Sequence, residues 1–118
     1  MACNTELGRG GEQLAVDWLT GKGYTILHRN WRYRQFEIDI VALKNEMPHF
    51  VEVKYRSSQQ YGYPEAGVQG KKKSAIFRAV NEFMFRHPAY RDFRVDILSI
   101  YEKKKGDAEY FFIEDVYL

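Results

Sequence analysis

Two carboxylates and a lysine stand close together in the stretch FEIDIVALKNEMPHFVEVKYR, residues 36–56, with Asp39 in its first apolar run and Glu52 and Lys54 in its second. Both runs alternate at the period of a strand, so side chains of one parity share a sheet face. Glu37, Asp39 and Val41 fall opposite Ile38, Ile40 and Ala42, and Phe50, Glu52, Lys54 and Arg56 fall opposite Val51, Val53 and Tyr55. An antiparallel hairpin turning at Asn45 and Glu46 sets Asp39 across from Glu52 and Glu37 across from Lys54. Like charges directly opposed, with Cβ atoms about 5 Å apart, are destabilising. A divalent cation with oxygen ligands resolves that conflict and brings hydrolytic chemistry with it. The turn is the weakest premise, because Asn-Glu is not the Asn-Gly that tight hairpins favour and a slip of two residues keeps the faces while changing the pairs. The plainer alternative is a half-exposed sheet that shows its charges to water. The central place of the hairpin in the chain, and a carboxylate facing a carboxylate, weigh against it.

The elements that must hold this hairpin can be read on either side of it. Thr5 to about Thr20 has Leu7, Leu14, Ala15, Trp18 and Leu19 in one stripe at helical spacing, ended by Gly21 and Gly23. Glu12 stands at the edge of that stripe, where a carboxylate can reach over a sheet edge; an ordinary boundary glutamate is the competing reading. Tyr24 to Tyr33 reads as extended, with Tyr24, Ile26 and Leu27 feeding a core. Trp31 among Arg29, Arg32 and Arg34 has the aromatic and basic interleaving that holds nucleic-acid strands, although packing is the commoner use of such a Trp. Ser57 to Pro64 is polar and punctuated by Gly62 and Pro64, a loop.

A second helix begins between Glu65 and Lys71 and runs to about Arg86, burying Ile76, Ala79, Val80, Phe83 and Met84 before Pro88 stops it. A start near Gly70 puts Lys71, Lys72 and Lys73 at the positive end of the helix dipole, which calls for an anion such as phosphate; a start at Glu65 leaves them a solvated face. Arg91 to Tyr101 and Glu109 to Tyr117 read as two more strands joined by a turn at Lys103 to Asp107. Asp96 is a candidate third acid, with a buried pairing to Arg94 or a backbone donor as the alternative. The order αβββαββ gives one α/β, mixed α+β, domain over residues 1–118, with a central sheet of about five strands flanked by helices.

Composition sets the outer limits. With 45% hydrophobic and 16% aromatic residues the chain is not a disordered segment. A net charge of +2 is too slight to argue for nucleic acid, so local clusters carry that question: Arg29, Arg32 and Arg34; Lys54 and Arg56; Lys71 to Lys73; Lys103 to Lys105. Cys3, with no second cysteine, forms neither an internal disulfide nor a zinc site and suggests a reducing compartment. No apolar run approaches the roughly 20 residues needed to span a bilayer, and the N-terminus lacks a signal-peptide layout. A cytoplasmic protein without a membrane partner is the expectation.

The pattern Asp39, then Glu52, one residue, Lys54, with Glu12 on a preceding helix, resembles the PD-(D/E)XK nuclease superfamily, whose fold is restriction-endonuclease-like. GGEQLAVDWLTGKGYTILHRNWR, FEIDIVAL, FVEVKYR, YGYPEAGV and RVDIL resemble the bacterial YraN-like family within it, from about Leu7 to Ser99. The resemblance implies a DNA-cleaving, Mg²⁺- or Mn²⁺-dependent phosphodiesterase, with branched or structured DNA as a candidate substrate, or a nucleic-acid-binding module that keeps the fold without catalysis. It implies Asp39, Glu52, Glu12 and the Val53 carbonyl as metal ligands, and Lys54 as the residue that orients or activates water and offsets transition-state charge. It gives Lys72 a place ahead of the second helix. Arg32, Arg34, Arg56, Lys71, Lys72 and Lys73 would contact the DNA backbone without reading sequence. Junction-cutting relatives imply a homodimer, since two strands need two sites. The sequence departs from the pattern at Ile38, nominally proline, and at Phe36, where YraN-like sequences usually carry glycine.

Overall fold

The computed structural model describes residues 5–57 and 70–116, with side chains described over 10–57 and 75–116. Cys3, the side chains of Leu7 and of Lys71 to Lys73, and the polar stretch expected as a loop after Ser57 lie outside those limits.

Helix α1 spans Thr5–Gly21 and is followed by strands β1 (Thr25–Tyr33), β2 (Phe36–Lys44) and β3 (Met47–Ser57). Helix α2 (Gly70–Arg86) leads into β4 (Arg94–Lys104) and β5 (Asp107–Ile113), so the order is the expected αβββαββ. The five strands form one sheet in sequence order, antiparallel throughout except for the parallel pair β3 and β4. A parallel neighbour needs a crossover, and the chain through α2 supplies it. This mixed α+β arrangement is consistent with a restriction-endonuclease-like core.

Alternation along the central strands divides the interior between the two helices. Ile40, Ala42 and Val51 face α1, packing with Ala15 and Leu19. Val41 and Phe50, of the other parity, face α2 and pack with Ala79, Val80 and Phe83. The sheet is thus covered on both faces, as its nearly continuous apolar runs require. Consecutive residues of β1 serve both layers, Ile26 with the α1 cluster and Leu27 with the α2 cluster, and a bulge interrupts the ladder between Ile26 and His28. Trp31 packs edge-on to Phe83 with centroids 5.4 Å apart, so packing is its use.

Gly11 is buried where α1 packs against Tyr55 of β3. A Cβ built there would lie 2.7 Å from Tyr55 Cβ and 2.8 Å from Tyr55 Cγ, a contact only glycine avoids. The last two strands differ from expectation at their ends. β4 begins at Arg94 rather than Arg91 and runs on to Lys104, because its pairing with β5 persists to Lys104↔Asp107. The turn is therefore shorter than Lys103 to Asp107; Gly106, at φ 85°, supplies its left-handed residue. β5 ends at Ile113, short of Tyr117. Among the described residues no helix is long and apolar enough to cross a membrane.

Candidate active site

The β2 and β3 strands pair from Lys44↔Met47 to Ile40↔Val51, which is the register that a turn at Asn45 and Glu46 dictates. Both turn residues have positive φ, 54° and 63°, the backbone of a type I′ turn whose twist matches that of the strands it joins. Asn is among the residues that enter this region most readily, so the first position is well served without glycine.

Pairing between these strands stops at Ile40↔Val51, while β2 stays with β1 as far as Tyr33↔Phe36 and β3 stays with β4 as far as Ser57↔Glu102. The two strands part into a fork. Across it the Val53 N–H donates to Asp39 Oδ2 at 2.8 Å, a side chain standing in for a ladder acceptor. Glu52 and Lys54 have the parity of Phe50, so they continue along the α2 side of β3 past the point of divergence. Lys54 Nζ lies 3.6 Å from Glu52 Oε2, and the two side chains are only 18% and 11% exposed. Glu52 Oε1 is shut off from solvent.

A cleft of about 300 Å³ opens in the fork, lined by Glu37, Asp39, Glu52, Val53 and Lys54, with Ile76 of α2 and Val95 of β4 among its apolar lining residues. Three carboxylates and one ammonium thus line a cleft with a partly apolar wall, where charge interactions are stronger than in bulk water. Glu37 does not meet Lys54 as the extended register anticipated. The β1–β2 register sets Arg32 directly opposite Glu37, and the pair closes at 3.4 Å, leaving Lys54 to Glu52.

Glu12 belongs to α1, and its Oε2 accepts from Arg29 Nε at 2.8 Å and from Asn30 Nδ2 at 2.9 Å. Glu12 does not line the cleft with Asp39 and Glu52. Among the described residues no three His, Cys, Asp or Glu side chains are grouped as a metal cage. The donor set still suits Mg²⁺, which is commonly held by one or two carboxylates and keeps several of its waters, unlike a cation in an all-protein cage. Asp39 and Glu52 supply the carboxylates, and Val53 lines the same cleft.

Asp96 is fully buried and belongs elsewhere: it accepts the Asp115 N–H at 2.8 Å and lies 2.7 Å from His49 Nδ1. The expected backbone donor is present, and His49 takes the place proposed for Arg94, which pairs with Asp92 and Asp115. Arg56 extends the parity of Lys54 one step and is half-buried. Lys71, Lys72 and Lys73 fall in the first turn of α2. Arg34 sits over the ring of Tyr33 at 5.2 Å.

One basic residue beside the hairpin escaped the sequence reading. Arg78 lies over Phe36 at 5.8 Å and, with Tyr33, Arg34, Gln35, Phe36 and Asn81, lines a second cleft of about 360 Å³. Its signal was present, since Arg78 follows Lys71 by seven residues and so shares its helix face. Phe36, odd against the family pattern, is half-buried and packs with the α2 cluster.

The profile described as Uncharacterised protein family UPF0102 matches residues 11–100, an interval containing Glu12, the fork and α2. A UPF0102 protein of Flavobacterium psychrophilum is 40% identical over 112 residues, covering 94% of both chains. Another, of Chlorobium phaeobacteroides, is 44% identical over 96 residues, 80% of this chain and 76% of that one. A third, of Alcanivorax borkumensis, is 36% identical over 93% of this chain and 90% of its own.

Proposed function

From the premise that this chain belongs to the uncharacterised protein family UPF0102, the YraN-like family, we propose that it is a divalent-metal-dependent nuclease hydrolysing phosphodiester bonds of DNA, branched or structured DNA in particular. The observation that carries this reading is the fork: pairing ends at Ile40↔Val51, and Asp39 and Glu52 enter one cleft with Lys54 against Glu52. A cytoplasmic setting and a homodimer with two such sites belong to the same reading.

Asp39 and Glu52 would hold Mg²⁺ or Mn²⁺, with the Val53 carbonyl as a further oxygen ligand. When bound, such an ion lowers the pKa of a coordinated water and offsets charge on the phosphate. Asp39 is fixed in rotamer by its bond from the Val53 N–H, so one carboxylate is positioned before any substrate arrives. Lys54 carries its positive charge on the cleft wall, where it orients a water and stabilises the extra negative charge that develops on phosphorus-bound oxygens. In the reaction a water oxygen bonds to phosphorus as the ester P–O bond breaks, and the leaving oxygen takes a proton. Arg32, Arg34, Arg56 and the lysines opening α2 would hold the DNA backbone on the same side.

The second reading, a DNA-binding module without catalysis, draws on Glu12, whose carboxylate is engaged by Arg29 and Asn30 rather than lining the cleft. Cleavage of linear, single-stranded and branched DNA with Mg²⁺ or Mn²⁺ separates the two. The nuclease reading expects product from the native protein and none from Asp39→Ala or Glu52→Ala. Equal product from native protein and Asp39→Ala would overturn it; salt-sensitive binding with no product from either would favour the module.

A further inference from the structure

The second cleft lies on the same side of the hairpin as the fork and is not needed for hydrolysis. Its walls are two aromatic residues, Tyr33 and Phe36, two arginines, Arg34 and Arg78, and the amides of Gln35 and Asn81. Glu82 also borders it, and that carboxylate is taken by Arg86 Nε at 2.7 Å. Arg32 is likewise matched by Glu37. Arg34 and Arg78 have no carboxylate partner among the described residues, and each guanidinium lies over an aromatic ring instead. A guanidinium held over a ring keeps edge N–H groups for a phosphate and a planar face for a base.

The β1–β2 turn presents Arg34 at the rim of this cleft. Arg34 occupies the first central position of the two-residue turn between β1 and β2 at φ 58°, a conformation that glycine adopts freely and a long side chain adopts at a cost. Folding alone is better served by glycine there. Glu46 has the same positive φ in the β2–β3 turn, so the conformation marks a tight hairpin turn.

We propose that this cleft receives one unpaired nucleotide of a DNA strand, its base stacked against Phe36 and its phosphate on Arg34 and Arg78. The idea rests on the nuclease reading and adds to it the form of the substrate. Phe36 precedes Asp39 by three strand positions, about 10 Å along β2. A nucleotide seated there leaves a neighbouring phosphate within reach of the fork, so the substrate is DNA that offers an unpaired nucleotide beside the bond to be cut. Asn81 and Gln35 supply donors and acceptors at the base edge without demanding one base, as stacking sites require.

The test measures binding in EDTA, where no divalent ion is available. Two DNAs are titrated: a fully paired duplex, and the same duplex with a short single-stranded flap whose first unpaired nucleotide is 2-aminopurine. The native protein is expected to bind the flap DNA about tenfold more tightly and to quench the probe, as base–aromatic stacking would do. Arg78→Ala combined with Asn81→Ala should bring the two affinities together and abolish the quench, weakening flap binding far more than duplex binding. Arg78 and Asn81 are exposed, so the replacements spare the core; Phe36→Leu, which keeps apolar bulk but removes the ring, should weaken the quench independently. Equal affinity of the native protein for both DNAs, or an undiminished preference in the Arg78 and Asn81 variant, would overturn the proposal. Neither result depends on cleavage, so a protein that cuts without this preference refutes the cleft alone, and one that shows the preference without cutting refutes only the chemistry.

Discussion

Asp39 and Val53 are joined by a hydrogen bond across the mouth of the β2–β3 fork, the Val53 N–H donating to Asp39 Oδ2 at 2.8 Å. One carboxylate thus holds the two diverging strands at a fixed separation and stands beside Glu52.

That double use separates two substitutions usually treated alike. Asp39→Asn keeps an oxygen that accepts the Val53 N–H, so it should melt close to the native protein while losing metal-dependent cleavage. Asp39→Ala should lose cleavage and also about 1 kcal/mol of stability, the cost of one forfeited hydrogen bond. Urea denaturation alongside a cleavage assay checks both. Full cleavage by Asp39→Asn would remove the carboxylate from the chemistry.

Gly11→Ala tests the seating of α1. Alanine raises helix propensity by about 1 kcal/mol, but a Cβ 2.7 Å from Tyr55 Cβ meets the root of a side chain that cannot rotate aside. Overpacking of this kind costs about 1–3 kcal/mol and should outweigh the propensity. Thermal melting should show a lower midpoint; an unchanged or raised one would mean that α1 shifts without cost.

The pH dependence of the Tyr55–Glu102 pair follows from its two shifts. Tyr55 donates to Glu102 Oε1 at 2.5 Å, and that hydrogen bond, with burial, pushes the phenol up to about 12. Glu102 is held below its ordinary value by the same bond and by the Gly106 N–H. A raised phenol pKa means stability complete below the ordinary value of 10.0 and lost as pH rises through about 12. A lowered carboxyl pKa means stability complete above the ordinary 4.5 and lost as pH falls through the folded value. Tyr55→Phe should therefore be less stable than the native protein by about 1 kcal/mol through the neutral range. The gap should shrink at both extremes; a gap that does not vary with pH in denaturation curves would show that the bond does not set it.

The central hairpin was legible because alternation and the position of the turn at Asn45 and Glu46 together specify register. The end of pairing at Ile40↔Val51 was not legible, since divergence depends on β1 and β4 drawing the two strands apart. Glu37 was therefore assigned to Lys54 when its neighbour on β1, Arg32, was the nearer cation. Asp96 was recognised as buried, but its partner His49 lies one strand away and 47 residues back, a pairing that local pattern does not reveal. The ends of β4 and β5 were displaced because hydrophobicity marks the middle of a strand, whereas Gly106 and the ladder to Lys104 set its limits.

The single parallel pairing in the sheet also sets an order of assembly. β1, β2 and β3 are joined by tight turns and close small loops, whereas β3 and β4 meet only after the chain from Ser57 to Arg94 has been brought round. Longer loops cost more entropy to close, and non-local pairings are slow to form. Asp39, Glu52 and Lys54 all belong to the fast-closing part, so the reactive groups should be gathered before the sheet is complete. In stopped-flow folding, Ile40→Val should slow folding and Leu98→Ala, on β4, should chiefly speed unfolding; the reverse pattern would place the parallel pair in the nucleus.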